Sequence, residues 1–236
     1  MTQTQEWAPL YRIGGIAALV AAVLFRRNIG AEVSLFTGIE AIPASAAEWF
    51  SLLQTNPFVG LSFLAVFDLV NYFLVGLVFL ALAARLWPLN KGLTAMALAS
   101  GLVGIAVSFA SNVSFSMMSV SQQYAAATGE TQRATLLATG QSLLAMSGAM
   151  GNFPGTGTYM SYLLIALAEL ALAVMLLPSH RAAAIVGLLA AGCDLAYCLT
   201  FALSPGLQVL FMASGGAFWM LWHLLAARLL FKAPGV

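Results

Sequence analysis

Apolar residues gather in this chain into long runs separated by short polar clusters. At about 1.5 Å of rise per residue, about 20 residues of helix cross the hydrocarbon layer of a bilayer. Five runs reach that length: Pro57–Ala84, Leu93–Met118, Thr158–Leu177, Ala182–Leu203 and Leu207–Phe231. A sixth, Leu10–Phe25, is shorter. It crosses only if its arginines reach back to the headgroups or the helix continues toward Phe36. The segment Thr131–Gly151, TQRATLLATGQSLLAMSGAMG, has Leu and Met at helical spacing but also Gln132, Gln141 and several Ser, Thr and Gly residues. It reads as an interfacial helix, a re-entrant segment, or a seventh crossing packed against protein. The pattern predicts an all-α, polytopic transmembrane helical bundle with six or seven spans. No internal repeat or low-complexity linker divides it, so residues 1–236 read as one transmembrane helical domain that includes the 131–151 candidate.

Composition agrees. A chain of 236 residues that is 61% hydrophobic and 7% charged has more apolar surface than a soluble domain of this size can bury. Nine Lys/Arg against eight Asp/Glu form no basic block, which argues against nucleic acid as a partner. Membrane lipids are the partner that the composition implies. Cys193 and Cys198 share one apolar run without CxxC or zinc-finger spacing, so they read as packing residues. Ile13–Phe25 resembles a signal-peptide core and Ala44–Ala46 a cleavage site, but Arg26 and Arg27 interrupt the arrangement, and an uncleaved first helix is expected.

Charge placement orients the C-terminus. With six spans and the N-terminus inside, the cytoplasmic side holds Arg12, Arg85, Lys91, Arg181, Arg228 and Lys232, against Arg26, Arg27 and Arg133 outside. With seven spans and the N-terminus outside, the cytoplasmic side holds Arg26, Arg27, Arg133, Arg181, Arg228 and Lys232. Both arrangements put six basic residues inside and a cytoplasmic C-terminus with them, and both leave the side of the N-terminus open. Two long connections stand out. Arg26–Asn56 contains a candidate interfacial helix around Ala44–Leu53, with Glu48 and Trp49, and Ser119–Gly157 contains the doubtful segment.

The candidate chemistry lies in polar residues inside the runs. Asp68 and Asn71, in VFDLVNYFL, are three apart and share a helix face. A charged carboxylate in hydrocarbon costs several kcal/mol, so Asp68 is expected to face protein, accept hydrogen bonds, or carry a proton. It reads either as part of a site or as a buried acid that locks helices together. Glu169 in IALAELALA and Asp194 in AAGCDLAYC are two further acids, and Tyr197 follows Asp194 by three. Three buried carboxylates exceed what packing requires, and their convergence would suit proton exchange or ligand binding.

Ser108, Ser111 and either Asn112 or Ser114 form a small hydroxyl-bearing stripe, suited to close helix approach or to lining a polar cavity. Asn112 is a candidate partner for Asp68 if the second and third runs pair as a hairpin across WPLNKG. Of the two histidines, His180 reads as a solvated cap or interfacial group. His223 lies beside Trp219 and Trp222 and is a weak candidate ligand for haem or a chlorin; Arg228 five residues on points instead to the interface. Multi-histidine metal sites are argued against, and no cofactor is predicted. The turn GNFPGTGTY matches neither GxGxxG after a strand nor GxxxxGK[ST], and GxSxG, HExxH and CxxCH do not occur.

The segments FDLVNYFLVGLVFLALAARLWPLNKGLTAMAL, SNVSF and QQYAAATGETQRATLLATGQSLLA resemble the bacterial DUF4386 family of integral membrane proteins of unknown function. The likeness runs from about Ile13 to Leu230, and YAAAT–QRA–LLA is its most specific part. It implies a bacterial inner-membrane bundle and brings no catalytic or ligand residues. The expectation is therefore a membrane protein with a polar cavity built around Asp68, Asn71, Asn112, Glu169, Asp194 and Tyr197 that takes a small or lipid-like molecule. The alternatives are an accessory subunit with a membrane-protein partner, a proton-coupled transporter, or a membrane enzyme without a recognisable nucleophile.

Overall fold

Short polar side chains set several of the helix starts. Ser45 accepts the N–H of Glu48 at 3.3 Å while Glu48 Oε2 takes the N–H of Ala44 at 2.8 Å, a reciprocal cap spelled S-x-x-E. Asn56 accepts the N–H of Val59 at 3.2 Å and is followed by Pro57 at the first helical position. Asn90 accepts the N–H of Leu93 at 3.0 Å. The computed structural model describes residues 6–25, 43–147, 155–200 and 205–233. Among these are ten helices: α1 Ala8–Phe25, α2 Ala46–Thr55, α3 Pro57–Phe63, α4 Val66–Leu86, α5 Lys91–Ser111, α6 Ser114–Ala126, α7 Glu130–Ser147, α8 Thr156–Leu176, α9 Arg181–Thr200 and α10 Pro205–Phe231.

The described residues contain helices and no strand, and among them five stretches are long and apolar enough to cross a membrane: Val66–Leu86, Lys91–Ala126, Thr156–Leu176, Arg181–Thr200 and Leu210–Phe231. A shorter apolar helix, Ala8–Leu24, accompanies them. The segment from Glu130 is helical, as its Leu and Met spacing implies, but it buries only Gly140 and Leu144 and is not one of the five. The helix foreseen around Ala44–Leu53 is α2, with Trp49 and Phe50 buried.

Two of the predicted runs are not single helices. Pro57–Ala84 breaks at Leu64–Ala65, where Ala65 takes φ 63°, a left-handed conformation that costs a residue with a Cβ about 1–2 kcal/mol. Leu93–Met118 breaks at Asn112–Val113 because Asn112 Oδ1 accepts the N–H of Ser114 at 3.0 Å, a local bond that replaces the helical one.

The chain divides into two compact units, each with its own core. One comprises Met1–Arg26, Val70–Val107 and Met160–Val236; the other comprises Arg27–Leu69 and Ser108–Tyr159. The core of the first is built from small and large side chains meeting across helices, with Ala81, Phe79, Leu82, Ala168, Leu172, Trp222 and Leu230 fully or almost fully buried. Gly101 lies against Phe79 and Ala168, and Gly104 against Ile165 and Leu164, so glycines of α5 admit α4 and α8 to close approach. Ser100 donates to the carbonyl of Leu164 at 2.8 Å, and Thr94 to Met175 Sδ at 3.5 Å. These pairs run in opposite directions along the two helices, so α5 and α8 are antiparallel. The core of the second unit joins α2, α6 and α7 through Trp49, Phe50, Leu53, Met117 and Leu144.

Candidate functional site

Two of the three predicted intramembrane acids meet in the first unit. Glu169 on α8 is fully buried and Asp194 on α9 is 7% exposed, and their carboxylates are close enough to interact electrostatically. The third wall is α10, whose residues Trp219, Trp222, His223 and Ala226 follow the i, i+3, i+4, i+7 spacing of one face and are all buried. That face explains a correction. His223 is not an interfacial anchor: it is 0% exposed, with Nδ1 2.8 Å from the carbonyl oxygen of Trp219. Arg228 stands beyond it in the last turn of the helix, which leaves His223 inside the core.

The two acids are held differently. Asp194 Oδ2 accepts the indole N–H of Trp219 at 2.7 Å. A side chain at Gly215, one turn before Trp219, would come within 2.9 Å of Asp194 Oδ1, so the missing Cβ is what lets the acid approach α10. Glu169 has no such donor: among the described residues neither of its buried carboxyl oxygens has a hydrogen-bond partner, and neither does the buried Nε1 of Trp222. Gly187 of α9 brings these groups together, because a Cβ there would lie 2.5 Å from Glu169 Oε1 and 2.8 Å from Trp222 Nε1. Phe79 of α4 closes the aromatic side, its ring centroid 6.3 Å from that of Trp222 and 6.5 Å from that of Trp219.

Of the other predicted residues in this unit, Asn71 is buried and its Oδ1 has no hydrogen-bond partner among the described residues. Tyr197 is half-buried on α9, its ring 5.2 Å from that of Tyr162 on α8. Cys193 and Cys198 are both free thiols.

The second unit holds the remaining candidates, and there the expected pairing of Asn112 with Asp68 is replaced by another. Asn112 Nδ2 donates to the carbonyl of Ala65 at 3.2 Å, and Ser114 Oγ to the carbonyl of Leu64 at 2.5 Å. The two helix breaks thus hydrogen-bond to each other, and carbonyls freed by one are satisfied by the polar side chains of the other. Asp68 is not mid-helix. It lies in the first turn of α4, directly after the break and exposed; its N–H donates to the carbonyl of Ala65 at 3.1 Å, and its carboxylate has no hydrogen bond to a described residue. A carboxylate there is favoured by the positive end of the helix dipole. The hydroxyl stripe serves the close-approach reading: Ser111 lies against Gly157 of α8, and Ser121 donates to the carbonyl of Phe50 at 3.2 Å.

Sequence reasoning missed Gly187, Gly215 and the donor role of Trp219. The buried face of α10 was legible as Trp219, Trp222, His223 and Ala226 at helical spacing, whereas the two glycines give no signal until their neighbours are known. Fold and site together define an all-α, multi-pass membrane protein with five candidate spans among the described residues. Comparison with protein-family models, with characterised proteins and with solved structures yields no match.

Proposed function

We propose that this chain is a bacterial inner-membrane protein with a cytoplasmic C-terminus that binds a small or lipid-like molecule through polar groups inside its helical bundle. Glu169 is its principal contact. The observation that carries the reading is the full burial of both Glu169 oxygens without a donor among the described residues, beside the indole N–H of Trp222, which has no partner among them either. An ionised carboxylate left so costs several kcal/mol, so the site calls for a proton or for a guest that supplies a hydrogen-bond donor. A hydroxyl or amine group is the matching chemistry, since it can donate to Glu169, and a hydroxyl can also accept from Trp222. Membership in the DUF4386 family belongs to the same proposal.

Six spans, with α1 as the sixth, fit this reading better than seven. Thr94 near the start of α5 bonds Met175 near the end of α8, and Arg85 is close enough to His180 to act on it electrostatically. A crossing by Glu130–Ser147 would put those pairs on opposite sides of the membrane. The test of the binding reading is extraction in mild detergent followed by mass spectrometry of retained compounds. The wild type is expected to keep a hydroxyl- or amine-bearing molecule at near one per chain and Glu169→Gln to lose most of it; equal retention overturns the assignment.

A proton-coupled carrier is the second reading, favoured by the paired helix breaks at Leu64–Ala65 and Asn112–Val113. Discontinuous helices recur where transporters bind their substrates. Solute uptake into vesicles under an imposed proton gradient, absent in Asp194→Asn, is the result that would select it.

A further inference from the structure

The acid pair leaves unused a cluster of positive charge at the other end of α9. Here a cavity of about 360 Å³ is lined by His180 and Arg181 at the start of α9, and by Arg228 and Lys232 at the end of α10. Ala183, Leu225 and Leu229 are among its apolar lining. Arg228 lies in the last turn of α10 and Lys232 directly follows its end, and both line the cavity. None of the side chains of Arg181, Arg228 and Lys232 makes an ion pair or hydrogen bond with a described residue, although three like charges around one cavity repel. Asp194 lies thirteen residues further along α9, about 20 Å away by helical rise, so this is a different place from the acid pair.

We propose that this cavity is a binding site for a phosphate-bearing anion, with Arg181, Arg228 and Lys232 as its ligands. Two guanidinium groups and an ammonium suit a phosphate, which arginine can hold through two parallel hydrogen bonds. The start of α9 adds the free N–H groups and positive dipole of a 20-residue helix. Two sources share this chemistry: a free phosphate and the headgroup of an anionic lipid. Large apolar side chains stand exposed within eight residues of the cations, Ile185 and Leu189 on α9 and Leu221 and Leu224 on α10, as acyl chains would require. Basic pockets between transmembrane helices are a recurrent way of holding lipid headgroups. His180 contributes a neutral hydrogen-bonding ring, since burial and the nearby Arg85 charge hold its pKa below the ordinary value.

The test uses the full chain in a neutral detergent and three probes below their micelle concentrations: dihexanoyl phosphatidylglycerol, dihexanoyl phosphatidylcholine and inorganic phosphate. Calorimetry is expected to give one site for phosphatidylglycerol, at least about tenfold tighter than for phosphatidylcholine and weakened at least about tenfold in Arg228→Gln/Lys232→Gln. The charge-preserving Arg228→Lys/Lys232→Arg chain is expected to keep the site. If inorganic phosphate binds as tightly as the lipid and displaces it, the site stands and its source is free phosphate. Equal affinity for phosphatidylglycerol and phosphatidylcholine, with no phosphate binding, overturns the proposal. So does unchanged affinity in the double glutamine variant. Loss of Lys91, an exposed cation at the start of α5, is expected to leave binding unaltered in Lys91→Gln. A tenfold loss there reduces the effect to overall charge and overturns the site.

Discussion

Gly187 is the residue on which the candidate site turns. It provides no chemistry, yet its hydrogen sits where Glu169 Oε1 and Trp222 Nε1 leave no room for a methyl group on α9. Gly187→Ala is expected to destabilise the protein by about 1–3 kcal/mol, the usual cost of forcing a methyl group against side chains already in contact with the backbone, seen as a fall in melting temperature. A melting temperature equal to the wild type's would mean that α8, α9 and α10 are looser than described. His180 offers a second check at this scale. Its pKa is lowered from 6.5 by burial and then by Arg85, so its neutral form is the one that the fold favours. Whatever stability this brings is complete above the unfolded value near 6.5 and is lost as pH falls toward the lowered folded value. A proton titration of His180 followed by NMR is expected to have its midpoint below 6.5 and to move upward in Arg85→Gln. A midpoint at or above 6.5 contradicts the described burial. The sequence marks Glu169 and Asp194 as costly in a membrane, and both prove to be buried. It gives no sign that Asp194 has a donor and Glu169 none, because that difference depends on which α10 side chain each one meets.

At the scale of the element, the instructive features are the two breaks. Asn112 was readable as a polar residue in a serine-rich stripe, and its bond to the N–H of Ser114 is a known habit of asparagine. The break at Ala65 was not readable. Its surroundings, SFLAVFD, contain neither proline nor glycine, and the break is held by bonds from far along the chain, from Asn112 to Ala65 across 47 positions and from Ser114 to Leu64 across 50. That dependence is testable. Asn112→Ala removes both the donor to Ala65 and the local acceptor for Ser114, and is expected to cost about 1–2 kcal/mol in thermal or denaturant unfolding. Combined with Ser114→Ala, the loss should differ from the sum of the single losses, since the two side chains serve adjacent carbonyls. Strictly additive values would mean that the two bonds act independently and that the breaks do not hold each other. The continuous helices expected over Pro57–Ala84 and Leu93–Met118 failed for one reason: apolarity records burial in lipid or protein but does not record where a backbone turns.

For the whole molecule, helix class and membrane residence follow from composition and run length alone, while the number of crossings does not. Five stretches satisfy length and apolarity, and Ala8–Leu24 falls short on length, so its part in the bundle is decided by packing. Gly14 and Gly15 settle it against Ala81 and Leu230 and against Phe231, which only the fold reveals. The six-span reading places the turns at Leu89 and Ser179, both exposed, on one side of the membrane. In a chain with Cys193 and Cys198 replaced by alanine, Leu89→Cys and Ser179→Cys are expected to react with a membrane-impermeant maleimide from the same side of sealed vesicles. Reaction from opposite sides would restore the seventh crossing.

The central claim, that Glu169 holds a guest inside the bundle, is most directly tested by intact-mass spectrometry of the protein released from mild detergent. Wild type and Asp68→Asn are predicted to carry the same single adduct, since Asp68 lies exposed in the other unit, and Glu169→Gln to appear at its bare mass. An adduct that persists in Glu169→Gln, or its absence from all three proteins, would contradict the account.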